Sequence, residues 1–259
     1  MDLWEKAAPA LAANLGKATP EDFARAIMTT DAFHKISHRE VSLPGGVVKL
    51  VGMAKGAGMI CPNMATMLSV VLCDAQVEAS VWQKMLRDAV ELTFNRVTVD
   101  GDTSTNDTLY GLANGASGVS ASDEESLKAL SAALTSVLGD LASMLVKDGE
   151  GASKVARIHV TGAASGAAAE RVARTVGHSQ LVKTALYGRD ANWGRIVAAV
   201  GRSGADFNPD DVVVTLCGVE LFRKGQPTDL DFDALLEEPL KQRDLPIDIV
   251  LGSGSGSYT

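Results

Sequence analysis

Apolar residues return at helical spacing in several segments of this chain, and the longest such segment runs from Asp123 to Lys147. Its leucines recur every three or four residues, which predicts one long helix with a single apolar stripe. The members of the stripe are Leu127, Leu130, Leu134, Leu138, Leu141 and Leu145. A stripe of this kind is typical of core packing rather than of cofactor binding, and we interpret it as core.

Shorter helices are predicted on both sides of this segment. Thr19 followed by Pro20 is typical of a helix start, with Thr19 as the N-cap, and the helix would end near Thr29-Thr30-Asp31. The residues expected to face inward are Phe23, Ala26 and Ile27. Further helical patterns cover Val81–Asn95, Ala167–Val176 and Phe232–Lys241. The expected apolar face of the first of these patterns is Trp82, Met85, Ala89 and Leu92.

Short apolar runs between the helices predict strands. Val41–Leu43 and Val47–Val51 flank Pro44-Gly45-Gly46, which predicts a β-hairpin. Leu68–Leu72 has the pattern of a strand buried on both faces. Later strand-like runs are Val155–Val160, Val212–Leu216 and Ile247–Leu251. The alternation of strands and helices predicts a mixed α/β fold.

Length and composition indicate a folded chain that can bury a substantial core. It has 259 residues, 46% of them hydrophobic, and a positive mean hydropathy. We expect a main α/β domain over residues 1–204 and a smaller, incomplete C-terminal lobe over 205–259. A net charge of −8 argues against nucleic acid as the main partner. No apolar run approaches the roughly 18–20 residues of a membrane span, and the N-terminus does not have the pattern of a signal peptide.

The cysteines argue against a metal site and for a reducing compartment. Cys61, Cys73 and Cys217 are widely spaced and do not have the spacing of metal ligands. The sequence therefore predicts a cytoplasmic protein with no bound metal.

The segment from Lys55 to Leu68, KGAGMICPNMATML, carries the most specific chemistry. An internal threonine at position 66 can attack the carbonyl of Ala65, and the resulting cut leaves Thr66 with a free α-amine. That amine has an ordinary pKa of about 8, so it can act as the base for the Thr66 hydroxyl. The alternative is a turn that leads into a strand. Cys61 is a competing nucleophile, but no histidine lies near it in the sequence, and we expect a buried or half-buried thiol.

Other polar motifs have weaker interpretations on their own. Asp100-Gly101-Asp102-Thr103-Ser104 resembles the start of a calcium loop, but Thr105 and Gly111 stand where glycine and glutamate are required. The alternative is a turn that satisfies its own backbone. Asp148-Gly149-Glu150 follows the long helix, and acidic residues at a helix C-terminus are electrostatically unfavourable, which suggests a functional reason for them.

Taken together, these motifs closely resemble the ornithine acetyltransferase family, the glutamate N-acetyltransferases of arginine biosynthesis (the ArgJ family). The resemblance covers essentially the whole chain. It rests on Lys55–Leu68, on Asn95–Asp107, on Asp148–Ala152 and on Leu181–Arg195. It implies an α/β fold of layered sheets and helices, unrelated to Rossmann folds. The implied reaction moves an acetyl group from N2-acetyl-L-ornithine to L-glutamate through acetyl-Thr66, after self-cleavage between Ala65 and Thr66.

The resemblance also assigns roles to residues and partners. Thr66 is the nucleophile and contacts the substrate, and Lys55, Glu150 and Thr29 bind the substrate; Thr30 is nearly as good a candidate as Thr29. No cofactor is implied, although acetyl-CoA is a possible second acetyl donor. The cleaved α and β chains would assemble as a heterotetramer with two copies of each.

The other two motifs receive supporting roles. We expect the Asn95–Asp107 loop to support the site, and we favour a structural hydrogen-bond network over substrate contact for the residues from Arg189 to Arg195.

Two departures from the family pattern give an alternative. The family has a long region before the segment that begins here at Met1, and that region contains the Thr-Gly element of the oxyanion hole. It also continues beyond the final glycine-rich stretch with an asparagine and a threonine or serine that contact substrate. We therefore expect a chain that is truncated at both ends. The alternative function is a non-catalytic fragment or partial subunit without its oxyanion hole.

Overall fold

Helices and strands alternate along the chain in two units, Met1–Glu150 and Gly151–Thr259. The structure is a computed structural model that describes residues 2–61 and 67–259. The mixed α/β fold predicted from the sequence, with sheets layered against helices, is confirmed in each unit. The domain boundary expected at residue 205 falls inside the second unit. Residues on both sides of that position belong to one sheet, because a strand that begins at Asp244 pairs with strands from Val155–Ala163 and Val213–Leu216.

The first unit combines one sheet with helices that pack against it. Its helices are α1 (Asp2–Ala13), α2 (Pro20–Ala26), α3 (Ala79–Glu91) and α4 (Glu124–Lys147). Its strands are β1 (Lys35–Leu43), β2 (Gly46–Lys55), β3 (Leu68–Cys73) and β4 (Thr108–Ala113). The strands lie in the order β1-β2-β3-β4, with β3 and β4 parallel and the other pairs antiparallel.

Helix α4 forms the centre of this unit's core, as its leucine stripe predicts. It begins after Asp123, whose carboxylate accepts a hydrogen bond from the Ser126 N–H and so caps the helix. The fully buried leucines are Leu130, Leu134, Leu138, Leu141 and Leu145. Each contributes about 1.5–3 kcal/mol by burial. By length and composition alone α4 also qualifies as a membrane span, a test that the core helix of any large domain can pass. Here its leucines pack against β1 and β2.

Among the described residues, helices cover one face of β3 and leave its other face partly exposed, which corrects the prediction for this strand. Its side chains alternate between buried and exposed, so Val71 is fully buried while Leu68 and Leu72 are 41% and 39% exposed. Helices α3 and α4 cover the face that Val71 shares. The sequence pattern of β3 predicts burial on both faces because the exposed positions of this alternating strand also carry leucine.

Helix α2 starts as predicted but buries a different residue. The Thr19 hydroxyl accepts a hydrogen bond from the Asp22 N–H, and the Asp22 carboxylate accepts one from the Thr19 N–H, which makes a complete capping box. The expected inward face is wrong: Ala24 is the buried residue, and Phe23 is 41% exposed. A helix of seven residues has too few turns for apolar spacing to identify its buried side.

The predicted hairpin is confirmed and extends further than its apolar runs. Strands β1 and β2 pair from Leu43 opposite Gly46 to Lys35 opposite Ala54. Strand β2 then pairs with β3 so that Lys55 lies opposite Leu68. The far end of the hairpin therefore brings Lys35 beside the residues that precede Gly56, where the candidate site lies.

The second unit has a six-stranded sheet flanked by helices. Its helices are α5 (Gly166–Gly177), α6 (Gln180–Gly188), α7 (Trp193–Gly201) and α8 (Phe232–Leu236). Its strands are β5 (Val155–Ala163), β6 (Val213–Leu216), β7 (Val219–Arg223), β8 (Gln226–Pro227), β9 (Asp244–Val250) and β10 (Gly256–Tyr258), in the order β10-β5-β9-β6-β7-β8. The helix predicted over Phe232–Lys241 is interrupted near Pro239, which cannot donate a backbone hydrogen bond and begins a separate 3₁₀ turn.

Candidate active site

One buried ammonium group lies at the centre of the candidate site. Lys35 begins strand β1, and its Nζ lies 2.5 Å from Asp31 Oδ1 and 2.6 Å from Asp148 Oδ2. The carbonyl oxygen of Phe33 lies 3.5 Å from the same nitrogen. The side chains of Lys35 and Asp31 are fully excluded from solvent, and that of Asp148 is 3% exposed. The cation therefore joins two carboxylates from distant parts of the chain inside the protein.

Asp31 connects the Thr29 segment to the end of strand β2. Its Oδ1 accepts a hydrogen bond from the Gly56 N–H at 2.6 Å, and its Oδ2 accepts one from the Thr29 N–H at 3.1 Å. Burial by itself raises the pKa of this carboxyl. Hydrogen bonds from Gly56, Lys35 and Thr29 outweigh the burial and hold the pKa below its ordinary value. The ionised carboxylate fixes the backbone of Thr29, whose side chain is exposed.

Asp148 connects the end of helix α4 to the same place. A carboxylate at a helix C-terminus is unfavourable, and the ammonium of Lys35 compensates for it here. The Asp148 oxygens also accept the Ala32 N–H, at 3.1 and 3.2 Å. Two residues later, the Glu150 N–H donates to the carbonyl oxygen of Ala57 at 2.9 Å. The turn from Asp148 to Glu150 is therefore held against both the Thr29 segment and the loop that follows β2.

The Glu150 side chain lies directly over Gly58. A Cβ atom at position 58 would lie 2.9 Å from Glu150 Cδ and Oε1, so only glycine leaves this space open. The Glu150 carboxylate is exposed and forms no ion pair within residues 2–61 and 67–259. This geometry brings Glu150 to the glycine loop of the Lys55–Leu68 segment, although 92 positions of sequence separate it from Gly58.

Lys55 is the last residue of β2 and lies opposite Leu68 on β3. The next residue, Gly56, has a φ of 140°, in the region that favours glycine, and turns the chain out of the strand. The Lys55 side chain is half-buried and makes no ion pair in the part of the chain that the structure describes. Within the described residues, an unpaired cation at the end of β2 and an unpaired carboxylate over Gly58 thus flank the loop that follows β2. Such a pair can complement the carboxylate and ammonium of an amino acid.

The loop Asn95–Asp107 holds the other end of this segment. The Asp100 carboxylate accepts the Met59 N–H at 2.6 Å and the Ile60 N–H at 3.0 Å. The Val99 N–H donates to the Ile60 carbonyl at 2.6 Å, and the Thr103 hydroxyl donates to the carbonyl of Cys61 at 2.9 Å. Met59 has a positive φ of 57°, a conformation that these contacts stabilise. The Asp100 oxygens therefore organise backbone amides, and the described residues contain no group of three potential metal ligands.

The bond that the sequence predicts to be cut, between Ala65 and Thr66, lies outside the described residues. The structure describes the chain up to Cys61 and again from Met67. The carbonyl of Met67 accepts the Thr108 N–H at 2.9 Å, and Leu68 begins β3. Because Lys55 lies opposite Leu68, it is paired with a residue only two positions after Thr66. Cys61 is buried, as expected.

The motif from Arg189 to Arg195 lies in the second unit and forms a hydrogen-bond network. Asn192 donates to the Asp190 carboxylate at 2.9 Å, and its own side-chain oxygen accepts the Arg195 N–H at the start of α7. The Arg195 guanidinium donates to the carbonyl of Leu181 and to the Thr184 hydroxyl, each at 3.0 Å. These contacts tie α6 to α7, which agrees with the structural interpretation favoured from the sequence.

Lys35 is the residue of the site that sequence reasoning missed. A single lysine before a polar strand usually lies in solvent, and nothing in its neighbours indicates complete burial. The partner that explains its position, Asp148, is 113 residues away.

Comparisons with known proteins agree with the motifs. The sequence model of the ArgJ family matches residues 1–259. A Nitratidesulfovibrio vulgaris protein named arginine biosynthesis bifunctional protein ArgJ is 71% identical, over 100% of this chain and 65% of its own length. A Thermosynechococcus vestitus protein of the same name is 43% identical, over 99% of this chain and 65% of its own length. The chain therefore spans about 65% of these curated relatives.

A solved structure gives the same assignment. The crystal structure of ArgJ from Bacillus halodurans matches with a TM-score of 0.67 and 35% sequence identity. The match covers 71% of this chain and 87% of that one. A likeness at this level of identity supports the layered α/β fold and agrees with the sequence comparisons.

Proposed function

The chain belongs to the ArgJ family, and on that premise we propose that it is an acyltransferase of arginine biosynthesis. It would move an acetyl group from N2-acetyl-L-ornithine to L-glutamate through an acetyl-threonine intermediate. The observation that carries the proposal is a pair of opposite charges that find no ionic partner among the described residues: Lys55 at the end of β2, and Glu150, whose side chain lies over Gly58 in the loop that follows. Acetyl-CoA is a possible second donor, and no other cofactor is part of the proposal.

Self-cleavage prepares the nucleophile. Thr66 Oγ attacks the carbonyl carbon of Ala65 and the peptide bond breaks, which leaves Ala65 as an ester on the threonine hydroxyl and a free Thr66 amine. Water then hydrolyses the ester, so that one fragment ends in the Ala65 carboxylate and the other begins with Thr66. The new amine has an ordinary pKa of about 8, which suits a base that works near neutral pH.

The transfer reaction uses the same hydroxyl twice. The Thr66 amine removes the hydroxyl proton while Oγ attacks the acetyl carbonyl of acetylornithine, and the proton passes to the ornithine nitrogen as it leaves. The amine of glutamate then attacks the acetyl-threonine ester. The ester bond breaks, an amide bond forms on glutamate, and a proton returns to Thr66 Oγ. The net reaction exchanges one amide for another and consumes no water.

The charged residues account for the choice of an amino-acid substrate. The Lys55 ammonium would pair with the substrate carboxylate, and the Glu150 carboxylate with a substrate ammonium. Glu150 would also assist proton transfer. The Thr29 hydroxyl, on a backbone fixed by Asp31, would contact the polar part of the substrate. Thr30 remains the alternative for that contact.

Assembly and location are further parts of the proposal. The two fragments would remain together and form a heterotetramer with two α and two β chains, and the protein would act in the cytoplasm. The names of the relatives agree with a biosynthetic role.

Mass spectrometry of the denatured protein, followed by an acetyl-transfer assay, tests the proposal. We expect one fragment that ends at Ala65 and one that begins at Thr66, and transfer of acetyl from acetylornithine to glutamate. Thr66→Ala should abolish both, whereas Thr175→Ala, a change at a partly exposed position of α5, should affect neither. An intact chain without transfer would favour the alternative, a non-catalytic fragment. Inactivation by a thiol reagent, with activity retained in Thr66→Ala and lost in Cys61→Ala, would instead identify Cys61 as the nucleophile.

A further inference from the structure

We propose that Lys35 is a positioning residue, whose buried ammonium sets the relative placement of the substrate-binding residues Thr29 and Glu150. The inference deepens the proposed function and rests on it. Under this proposal Lys35 itself does not contact the substrate. It acts through Asp31 and Asp148, the two carboxylates that it joins.

The cluster of Lys35, Asp31 and Asp148 is charged although it is buried. Two carboxylates and one ammonium are withdrawn from water here, and removing charges from water is costly. Well-packed apolar side chains often stabilise a fold as well as a buried ion pair does. The particular capacity of the charged cluster is directional: each carboxylate oxygen accepts a hydrogen bond, and each bond fixes a specific backbone segment.

The hydrogen bonds of the two carboxylates lead to the segments that carry the proposed substrate-binding residues. Asp31 holds the N–H of Thr29 and the N–H of Gly56, the residue that follows Lys55. Asp148 holds the N–H of Ala32 and lies two residues before Glu150. One ammonium therefore connects the segments of Thr29, Lys55 and Glu150, the three residues other than Thr66 to which substrate binding is assigned.

The cluster also contains residues from both sides of the bond that would be cut. Asp31 and Lys35 precede Thr66 in the chain, and Asp148 follows it. After cleavage at Ala65–Thr66, the contact between Lys35 and Asp148 would join the two fragments without a covalent link. It would keep Thr29 and Glu150, which then belong to different fragments, in register.

A second ion pair provides a matched control. Arg39 and Asp140 join the same strand and the same helix, β1 and α4, at 2.7 Å. Both side chains are partly exposed, and the hydrogen bonds of Asp140 reach Ser37 and Arg39 on β1 rather than the Thr29 or Glu150 segments. A change at Asp140 therefore perturbs the packing of α4 on β1 and leaves the proposed positioning network intact.

The experiment compares Asp148→Asn with Asp140→Asn in steady-state acetyl transfer and in thermal unfolding. We expect Asp148→Asn to raise the KM for acetylornithine about tenfold or more, because Glu150 and Thr29 lose their fixed separation, with a smaller change in kcat. Asp140→Asn should leave the KM for acetylornithine within about twofold of the unmodified protein, even if its melting temperature falls by as much as that of Asp148→Asn.

A double variant covers the case in which a single change unfolds the protein. Lys35→Met with Asp148→Asn keeps the formal charge of the cluster at −1, the value of the native trio of two carboxylates and one ammonium. It should fold and show the same rise in KM.

The outcomes separate the two proposals. Equal KM values for folded Asp148→Asn, the double variant and the unmodified protein would overturn the positioning role. An unmodified protein that transfers no acetyl group would overturn the proposed function, and this inference with it.

Discussion

Glycine at position 58 leaves space for the Glu150 carboxylate, so its replacement by alanine tests whether that carboxylate binds substrate. A Cβ atom there would lie 2.9 Å from Glu150 Cδ and Oε1 and 3.2 Å from Oε2. Non-bonded carbon atoms are at their best separation at about 3.5–4.0 Å. The Glu150 side chain of Gly58→Ala must therefore move by roughly half an ångström or more to relieve the contact.

The fold should tolerate this change. The Glu150 side chain is exposed and can rotate into solvent, and Gly58 does not have the positive φ that would exclude alanine. Replacing glycine by alanine at a compatible position stabilises a protein by about 0.4–1 kcal/mol, because it restricts the unfolded chain. We therefore expect the free energy of unfolding to change by less than about 1 kcal/mol in either direction.

Activity should respond much more strongly. A displacement of about 1 Å in a positioning group can cost on the order of 100-fold in rate. We expect kcat/KM for acetylornithine to fall about 10- to 100-fold in Gly58→Ala. The assay follows release of ornithine at varied acetylornithine, with thermal unfolding measured on the same samples.

Gly201→Ala is the matched control, because a Cβ at that end of α7 would meet no atom within 4 Å. Its kinetic constants should equal those of the unmodified protein. The reasoning fails if Gly58→Ala is as active as the control, or if its melting temperature falls by many degrees, since the first result removes Glu150 from the site and the second shows that the loop cannot shift.

Three further predictions follow from the same contacts. The cleaved fragments should elute together in size-exclusion chromatography and separate only in denaturant, because β2 pairs with β3 across the cut and α4 packs on β1 and β2. Separation of the fragments in buffer without denaturant would contradict this prediction. Asp100→Ala removes the acceptor of the Met59 and Ile60 amides and should destabilise the loop by about 1–3 kcal/mol per amide. Self-cleavage, followed by mass spectrometry, should then be slower, and an unchanged cleavage rate would argue against the supporting role of the Asn95–Asp107 loop. The Asp31 carboxyl has a lowered pKa in the folded state, so its stabilising effect is present above its ordinary pKa of about 3.9 and is lost as the pH falls through the folded pKa. Acid unfolding should therefore be less steep in Asp31→Asn, and identical acid-unfolding profiles for the two proteins would contradict the network.

The parts of the fold that depend on local pattern were predictable from the sequence. The leucine stripe of α4, the Thr19 cap and the hairpin around Pro44 each rest on residues within a few positions of one another. Exposure was harder to predict. Leu68 and Leu72 gave β3 the pattern of a buried strand, because the number of faces that helices cover depends on elements far away in the sequence.

In the candidate site, too, some residues could be predicted from the sequence and others could not. Motif resemblance selected Lys55, Glu150 and Thr29, and the structure brings the segments of all three to the end of β2. No local pattern indicated Lys35, since its burial depends on Asp148 at the far end of α4. The order of strands in the second sheet, which places β9 between β5 and β6, likewise cannot be obtained from periodicity.

Direct detection of the acyl-enzyme tests the central claim most closely. The protein is incubated with acetylornithine alone, quenched in acid, and its fragments are analysed by mass spectrometry. We expect one acetyl group on the fragment that begins at Thr66, attached to the threonine hydroxyl and lost when glutamate is added before the quench. An acetyl group on any other residue, or an uncut and unacetylated chain, would contradict Thr66 as the nucleophile.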